Sequence, residues 1–194
     1  MDTKKRPIII DTDPGIDDAV ALAIALNHPN LEVRLITTVA GNVDVEKTTN
    51  NALKLVDFFG KKVPVAKGCN CPLLIQLEDS AEIHGETGMD GFEFPQPIST
   101  CLDIHAVEAM RKEILSSDVP LTIVPIAALT NIALLLTLYP EVKENIAEIV
   151  MMGGSLARGN TNTSAEFNTY VDPHAAQIVF QSGVPLTMVG LDVT

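Results

Sequence analysis

Near its start the chain reads Asp11-Thr12-Asp13-Pro14-Gly15-Ile16-Asp17-Asp18, so that four aspartates fall within eight residues. The apolar, β-branched run at residues 7–10 precedes this octad, and an apolar run rich in alanine at 19–26 follows it. The first run predicts a buried parallel strand, and the second predicts a mostly buried helix. The octad is therefore expected at the carboxyl end of the first strand, where open α/β sheets bind their ligands.

The same alternation of strand and helix continues along the whole chain. Strand-like runs occur at residues 8–10, 33–39, 63–66, 121–126, 149–152 and 186–191. Helical patterns occur at residues 17–26, 45–59, 104–116, 130–138 and 173–182. Strands that alternate with helices are typical of a mainly parallel open sheet flanked by helices. We therefore expect residues 1–194 to form a single α/β domain.

Composition excludes several classes of protein. Hydrophobic residues make up 46% of the chain and charged residues 20%, which indicates a globular domain. The net charge of −12 argues against a nucleic acid or an anionic membrane as partner. No run is long and apolar enough to span a membrane, and residues 1–6 lack the apolar segment of a signal peptide. The three cysteines do not have the spacing of a zinc site and indicate a reducing cytoplasm.

Carboxylates as crowded as those of the octad repel one another unless a cation lies among them. The period of a strand places Asp11 and Asp13 on one side, and Asp17 and Asp18 fall at the start of the helix. A hard cation with oxygen ligands, Ca²⁺ or Mg²⁺, would neutralise such a cluster. The alternative is that Asp17 and Asp18 only stabilise the helix N-terminus.

Two long stretches interrupt the alternation of strands and helices. Residues 67–97 contain His84-Gly-Glu-Thr-Gly-Met-Asp-Gly91, and residues 153–172 contain the polar run 158–168. Loops of this length in a compact domain are usually lids or binding loops. Because both stretches follow predicted strands, both are expected to reach the edge of the sheet that carries the aspartates.

Six segments of the chain form an ordered set of motifs. They are Asp11 through Ala19, Thr37-Thr-Val-Ala-Gly-Asn42, His84-Gly-Glu-Thr-Gly88, Leu129-Thr-Asn131, Met151-Met-Gly-Gly154 and Asn160 through Asn168. In this order they resemble the inosine–uridine nucleoside hydrolases, a family of Ca²⁺-dependent nucleoside N-ribohydrolases. The resemblance extends from residue 8 to the last residue, and it implies a Rossmann-like nucleoside hydrolase fold.

The resemblance implies a role for eleven residues. Asp13 would bind Ca²⁺ and take the proton from the attacking water, Asp18 would bind Ca²⁺ through both carboxylate oxygens, and the Ile126 carbonyl would add a ligand. The other eight would contact the substrate. Those implied to bind sugar hydroxyls are Asp17, Asn42, Asn160, Glu166 and Asn168, those implied to line the pocket are Met152 and Phe167, and His84 would approach the base.

Taken one at a time, several of these residues have a simpler interpretation. Asn42 follows a glycine at a strand end and is also typical of a turn. His84 could be a surface histidine of its loop, and Glu166 could be solvated. Asn131 is predicted to cap or turn the chain at its helix start rather than to contact substrate.

The chain departs from the family pattern in two respects. Ala127-Ala128 replaces a pair that usually contains glycine, and a turn with positive φ at this position would be strained by alanine and could shift the Ile126 carbonyl. The family also has a later His-Asp pair that supplies the acid for the leaving group and a further carboxylate ligand, and nothing in this sequence matches it. We therefore expect a chain truncated at its C-terminus, with impaired catalysis by residues 1–194 alone.

Three functions remain open at this stage. The favoured one is Ca²⁺-dependent hydrolysis of the N-glycosidic bond of ribonucleosides, with a small-molecule ribonucleoside as partner and, by family resemblance, a homo-oligomer as the assembly. A Ca²⁺-dependent ribose binder without turnover is the second. The third is a haloacid-dehalogenase-like phosphatase, since Ile8 through Asp13 also fits a strand followed by Asp-x-Asp, although Gly15 departs from that motif.

Overall fold

The computed structural model of the protein describes residues 5–194. Its centre is a parallel sheet of six strands in the order β3-β2-β1-β4-β5-β6. The strands are β1 (Arg6–Thr12), β2 (Leu31–Thr38), β3 (Val65–Lys67), β4 (Leu121–Pro125), β5 (Ile146–Met152) and β6 (Leu186–Val189). The expected mainly parallel α/β architecture is confirmed. Residues 1–4 lie outside the described residues. They are part of the segment 1–6, in which the sequence shows no apolar run of a signal peptide.

Helices cover both faces of this sheet. They are α1 (Ile16–Asn27), α2 (Val45–Phe58), α3 (Ala81–His84), α4 (Ala106–Ser116), α5 (Thr130–Leu138), α6 (Phe167–Val171) and α7 (Pro173–Phe180), with a 3₁₀ helix at Pro140–Asn145. The five longer α-helices occur where the sequence predicts them. The short α3 and α6 and the 3₁₀ helix were not predicted, because four to six residues are too few to show a helical period.

The core is divided between the two faces of the sheet, and β1 contributes to both. Ile9 packs with residues of α4, α5 and α7, whereas Ile8 and Ile10 pack with residues of α1 and α2. Successive side chains of a strand point to opposite faces, and a strand covered on both faces reads as a continuous apolar run. This burial explains why β1 has no polar residue between Pro7 and Asp11.

The strand order fixes where a ligand would bind. From β1 the chain proceeds outward through β2 to β3, and it then returns to β4 on the other side of β1. The crevice above the carboxyl ends of β1 and β4 is therefore the topological switch point of the sheet. The octad leaves β1 at this crevice, and Ile126 follows β4 into it. No helix within residues 5–194 is long and apolar enough to cross a membrane.

The turn after β4 is not strained by its two alanines, contrary to the expectation for a turn with positive φ. Among the described residues, positive φ occurs only at glycines, so neither Ala127 nor Ala128 adopts it. Both alanines are fully buried. The Ile126 backbone N–H donates to the Asp11 carbonyl oxygen at 2.8 Å, which ties the turn to the end of β1.

Candidate active site

A cavity of about 450 Å³ opens at the switch point. It collects all of the residues that the family resemblance singled out: Asp13, Asp17, Asp18, Asn42, His84, Ile126, Met152, Asn160, Glu166, Phe167 and Asn168. Five more residues line it, namely Asp79, Ser80, Glu82, Ile83 and Thr161. Both long loops reach the cavity, as expected. The shared location makes this cavity the candidate active site, while the role of each residue stays a prediction.

Asn42 connects the two inner aspartates. Its backbone N–H donates to Asp13 Oδ2 at 2.7 Å, and its Nδ2 donates to the Asp13 carbonyl oxygen at 3.0 Å and to Asp18 Oδ2 at 3.2 Å. The Ser80 hydroxyl donates to Asn42 Oδ1 at 2.9 Å, and this bond fixes the orientation of the amide. Asn42 is thus more than a turn residue, because it holds both carboxylates in place.

Asp18 combines helix capping with a position in the cavity. Its Oδ2 accepts from the backbone N–H of Gly15 at 2.9 Å, at the start of α1, and its Oδ1 accepts from the Thr12 hydroxyl at 2.7 Å. Asp17 differs, because its side chain is 82% exposed at the cavity mouth. The capping interpretation therefore holds for Asp18 but does not exclude a second role.

The inner carboxylates lie in an environment that disfavours negative charge. Burial raises the pKa of Asp13 well above its usual range, and the neighbouring Asp18 raises it further. Burial also raises the pKa of Asp18 to about 6, although hydrogen bonds from Thr12 and Gly15 oppose the shift. No lysine or arginine within residues 5–194 lines the cavity. A cation bound between these carboxylates would relieve their repulsion.

Asp11 lies beneath the cavity and does not line it. Its Oδ1 accepts from the Thr37 hydroxyl at 2.5 Å and from Asn131 Nδ2 at 2.8 Å. Burial raises the pKa of Asp11 to about 7. Asn131 also donates to the Thr38 carbonyl oxygen and accepts from the Cys69 backbone N–H. Asn131 therefore joins the ends of three strands beneath the site. It does not cap α5 as predicted, because its side chain is engaged in these bonds, and it does not line the cavity.

Replacing Asn131 with alanine is expected to lower the free energy of unfolding by about 2–4 kcal/mol, because two buried acceptors and the part-buried Cys69 N–H lose a hydrogen bond. Asn131 itself is fully buried. Urea unfolding followed by circular dichroism measures the change. Asn50→Ala, at a half-buried position of α2, is the control and should shift stability by less than about 0.5 kcal/mol. An Asn131→Ala protein as stable as the control would contradict this account of the network.

Glu166 and Asn168 bring the second long loop into the site. Glu166 is 2% exposed. Its carboxylate accepts from the backbone N–H groups of Gly154, Asn168 and Thr169 at 2.8, 2.8 and 3.1 Å. Glu166 is thus buried rather than solvated, and it caps α6. Asn168 Nδ2 donates to the carbonyl oxygens of Ile126 and Met152, each at 3.2 Å, which links the ends of β4 and β5.

His84 reaches the cavity from the first long loop, at the end of α3. Its Nδ1 accepts from the Ile16 backbone N–H at 3.3 Å and lies 4.0 Å from Asp17 Oδ1. A Cβ atom on Gly15 would lie 2.6 Å from that nitrogen and 2.7 Å from Asn42 Nδ2. The glycine of the octad therefore makes room for both the histidine and the asparagine.

The oxygen donors of the cavity fit a hard cation in part. Asp13, Asp18 and the Ile126 carbonyl supply oxygen ligands of the kind that Ca²⁺ prefers. No group of three or more His, Cys, Asp or Glu side chains within residues 5–194 is arranged to hold a metal ion. Two carboxylates and one carbonyl would leave positions in a shell of 6–8 oxygens for water and for substrate hydroxyls.

Sequence reasoning missed several residues of the site. Asp79, Glu82 and Ile83 flank His84 on the loop, and Ser80 orients Asn42 from a buried position. Only their closeness to the His84 motif could have indicated them. The rim contributed by Asp79 and Glu82 adds negative charge to a cavity already rich in carboxylates.

The chain belongs to the inosine-uridine preferring nucleoside hydrolase family, whose model matches residues 8–194. Its curated relatives include the non-specific ribonucleoside hydrolase RihC of Klebsiella pneumoniae strain 342, 54% identical over 190 residues. The RihC of Salmonella newport is also 54% identical, over 192 residues. The alignments include 98% and 99% of this chain but 62% and 63% of those relatives. The chain thus spans somewhat less than two thirds of their length.

Solved structures agree with this assignment. The purine-preferring ribonucleoside hydrolase from Gardnerella vaginalis superposes with a TM-score of 0.92 at 38% identity, over 96% of this chain and 61% of the other. An inosine-guanosine nucleoside hydrolase superposes with a TM-score of 0.90 at 32% identity, over 97% of this chain and 62% of the other. The fold class predicted from the octad and its surroundings is that of the family.

Proposed function

We propose that the protein hydrolyses the N-glycosidic bond of ribonucleosides and releases the free base and ribose, with Ca²⁺ as its cofactor. The observation that carries the proposal is the cavity at the switch point, where Asn42 joins two buried carboxylates opposite the cluster formed by Asn160, Glu166 and Asn168. The family membership and the ribonucleoside hydrolase relatives support it.

The residues of the cavity suit the charges of this reaction. Breaking the bond between sugar and base develops positive charge on the ribose ring in an oxocarbenium-like transition state. Preorganised carboxylates stabilise such charge where water is excluded. In the proposal Asp13, which is buried and lines the cavity, also accepts the proton of the attacking water as a general base. Ca²⁺, when held by Asp13, Asp18 and the Ile126 carbonyl, would supply a water of lowered pKa.

Recognition of the sugar is assigned to the polar residues of the cavity. Asp17, Asn42, Asn160, Glu166 and Asn168 are proposed to contact the ribose hydroxyls, with Met152 and Phe167 as the apolar walls. Asn160 Oδ1 accepts from the Phe167 backbone N–H at 2.9 Å, and this bond sets the position of that aromatic residue. His84, on the opposite loop, is proposed to approach the base.

The phosphatase alternative is disfavoured by the charge of the cavity. Asp13, Asp17, Asp18, Asp79, Glu82 and Glu166 line it. A phosphoester would be repelled there, because the described lining contains no lysine or arginine to bind its oxygens. A homo-oligomer and a cytoplasmic location stay predictions from family resemblance and from composition.

The choice of substrate tests the proposal. Inosine and uridine should be hydrolysed, although slowly by residues 1–194 alone. The kcat/KM for 2′-deoxyinosine should be lower than that for inosine by about 10²-fold or more, because the polar groups that bind the missing hydroxyl are left without a partner. Base release is measured by chromatography, with p-nitrophenyl phosphate as the phosphatase substrate. Equal handling of inosine and 2′-deoxyinosine would count against the sugar contacts. Tight nucleoside binding without release of base would favour the non-catalytic alternative.

A further inference from the structure

Asn51 of α2 connects two segments that come together at the cavity. It is 2% exposed, and its Nδ2 donates to the Pro14 carbonyl oxygen at 3.1 Å and to the Thr87 carbonyl oxygen at 2.8 Å. Pro14 belongs to the aspartate octad. Thr87 belongs to the segment 80–91, which carries His84 and is called the lid below. One side-chain amide therefore bonds the backbone of both.

Few other polar contacts hold the lid against the octad. His84 Nδ1 accepts from Ile16, and at the beginning of the lid Ser80 bonds Asn42 through its hydroxyl and its backbone N–H. Between α2 and the far part of the lid lies a second cavity of about 650 Å³, lined by Asn51 and Thr87 among others. Of the lid residues, Met89 packs into the core. The bonds from Asn51 thus lie between this second cavity and the buried Met89.

The junction around Asn51 is also sterically tight. A Cβ atom on Gly88 would lie 3.1 Å from Asn51 Nδ2 and 3.0 Å from Val43 Cγ2, and Gly88 has a φ of +85°. A side chain at position 88 would therefore be strained by its backbone conformation and would push against Asn51 and Val43. Gly91 has a comparable backbone, with a φ of +110°, but a Cβ atom there would meet nothing within 4 Å.

We propose that Asn51 is a positioning residue, which locks the lid onto the aspartate octad and so sets His84 and Ile83 over the cavity. It acts through two backbone carbonyls and makes no contact with the substrate. The bond from Asn51 to the Pro14 carbonyl oxygen also fixes the backbone directly after Asp13. Only the kinetic consequence of this inference rests on the proposed function, because the position of the lid can be measured without turnover.

Asn51→Asp tests the lock with almost no change in side-chain volume. A carboxylate oxygen would replace the amide donor and would face two carbonyl oxygens, so both hydrogen bonds are lost. Asn50→Asp is the matched control, since it makes the same change one residue away on the half-buried side of α2. The readout is the rate at which a glutamate-specific protease cleaves after the exposed Glu86, followed by intact mass.

The cleavage rate should rise about tenfold or more in Asn51→Asp and stay at the wild-type value in Asn50→Asp, because cleavage tracks the population of the open lid. With nucleoside substrates, kcat/KM should fall about tenfold in Asn51→Asp. Cleavage at wild-type rate in Asn51→Asp would overturn the proposal, whether or not the protein hydrolyses nucleosides. Increased cleavage without any turnover in the wild type would refute the proposed function alone.

If circular dichroism shows that Asn51→Asp is unfolded, a second pair of variants tests whether the junction at Asn51 holds the lid in place. Gly88→Ala disturbs the same junction from the lid, while Gly91→Ala adds the same strained methyl group in open space. Gly88→Ala should be cleaved after Glu86 several-fold faster than Gly91→Ala. Equal rates in these two variants would contradict a lock at Asn51.

Discussion

Replacing Asp13 with asparagine is expected to lower kcat for ribonucleoside hydrolysis by about 10²–10⁴-fold, which is the usual contribution of a general base. Asparagine preserves the volume of the side chain, and its amide oxygen can still accept from the Asn42 backbone N–H, which bonds Asp13 at 2.7 Å. The variant therefore removes basicity and charge from a buried position with little change in shape. Initial rates at saturating Ca²⁺ and inosine measure the effect.

The matched control for this prediction is Asp103→Asn, which makes the same substitution at an exposed aspartate outside the cavity. It should retain the wild-type kcat. If Asp13→Asn also kept the wild-type kcat at saturating Ca²⁺, Asp13 would not be the base, and the assignment of the reaction to the octad would have to be abandoned.

Ca²⁺ is expected to raise the melting temperature of the protein by about 5–10 °C at a hundredfold excess over its Kd, since binding to the native state alone stabilises it by about 2.7 kcal/mol. The reason is the buried pair Asp13 and Asp18, which lie close together in a cavity whose described lining contains no lysine or arginine. Differential scanning fluorimetry with Ca²⁺, with Mg²⁺ and with a chelator measures the shift and its selectivity.

Asp18→Ala should abolish the thermal shift with Ca²⁺, whereas Asp103→Ala should keep it. Asp18 also caps α1, so the variant is expected to melt below the wild type even in the presence of the chelator. The informative quantity is therefore the difference between Ca²⁺ and chelator within each variant. A wild-type protein that melts at the same temperature in both would contradict a Ca²⁺ site at the octad.

The fold could be predicted from the sequence because its signals are local. The run 7–10 is apolar without interruption since β1 is covered on both faces, and the six strands occur at the predicted positions. The location of the site could also be predicted from the sequence, because the carboxyl ends of parallel strands lie at one edge of the sheet. The octad and both long loops reach the same cavity for that reason.

The supporting network could not be predicted, because it joins residues far apart in the chain. Asn131 bonds Asp11 across 120 positions and Asn51 bonds Pro14 across 37, and neither pairing leaves a periodic pattern. The sequence around Glu166 was also ambiguous, because it did not show whether this side chain is solvated or buried. In the structure Glu166 is buried, and three backbone N–H groups donate to its carboxylate. The turn at Ala127 likewise shows no strain, because its φ is not positive.

The most direct test of the central claim is the stoichiometry of products formed in phosphate-free buffer with Ca²⁺. Inosine serves as the nucleoside substrate, and p-nitrophenyl riboside serves as an activated substrate, since its leaving group needs little protonation. The account predicts that free base or nitrophenolate and ribose appear in equal amounts, and that Asp13→Asn reduces both together. Absence of ribose from both substrates, or its release at the same rate by Asp13→Asn, would contradict hydrolysis at this cavity.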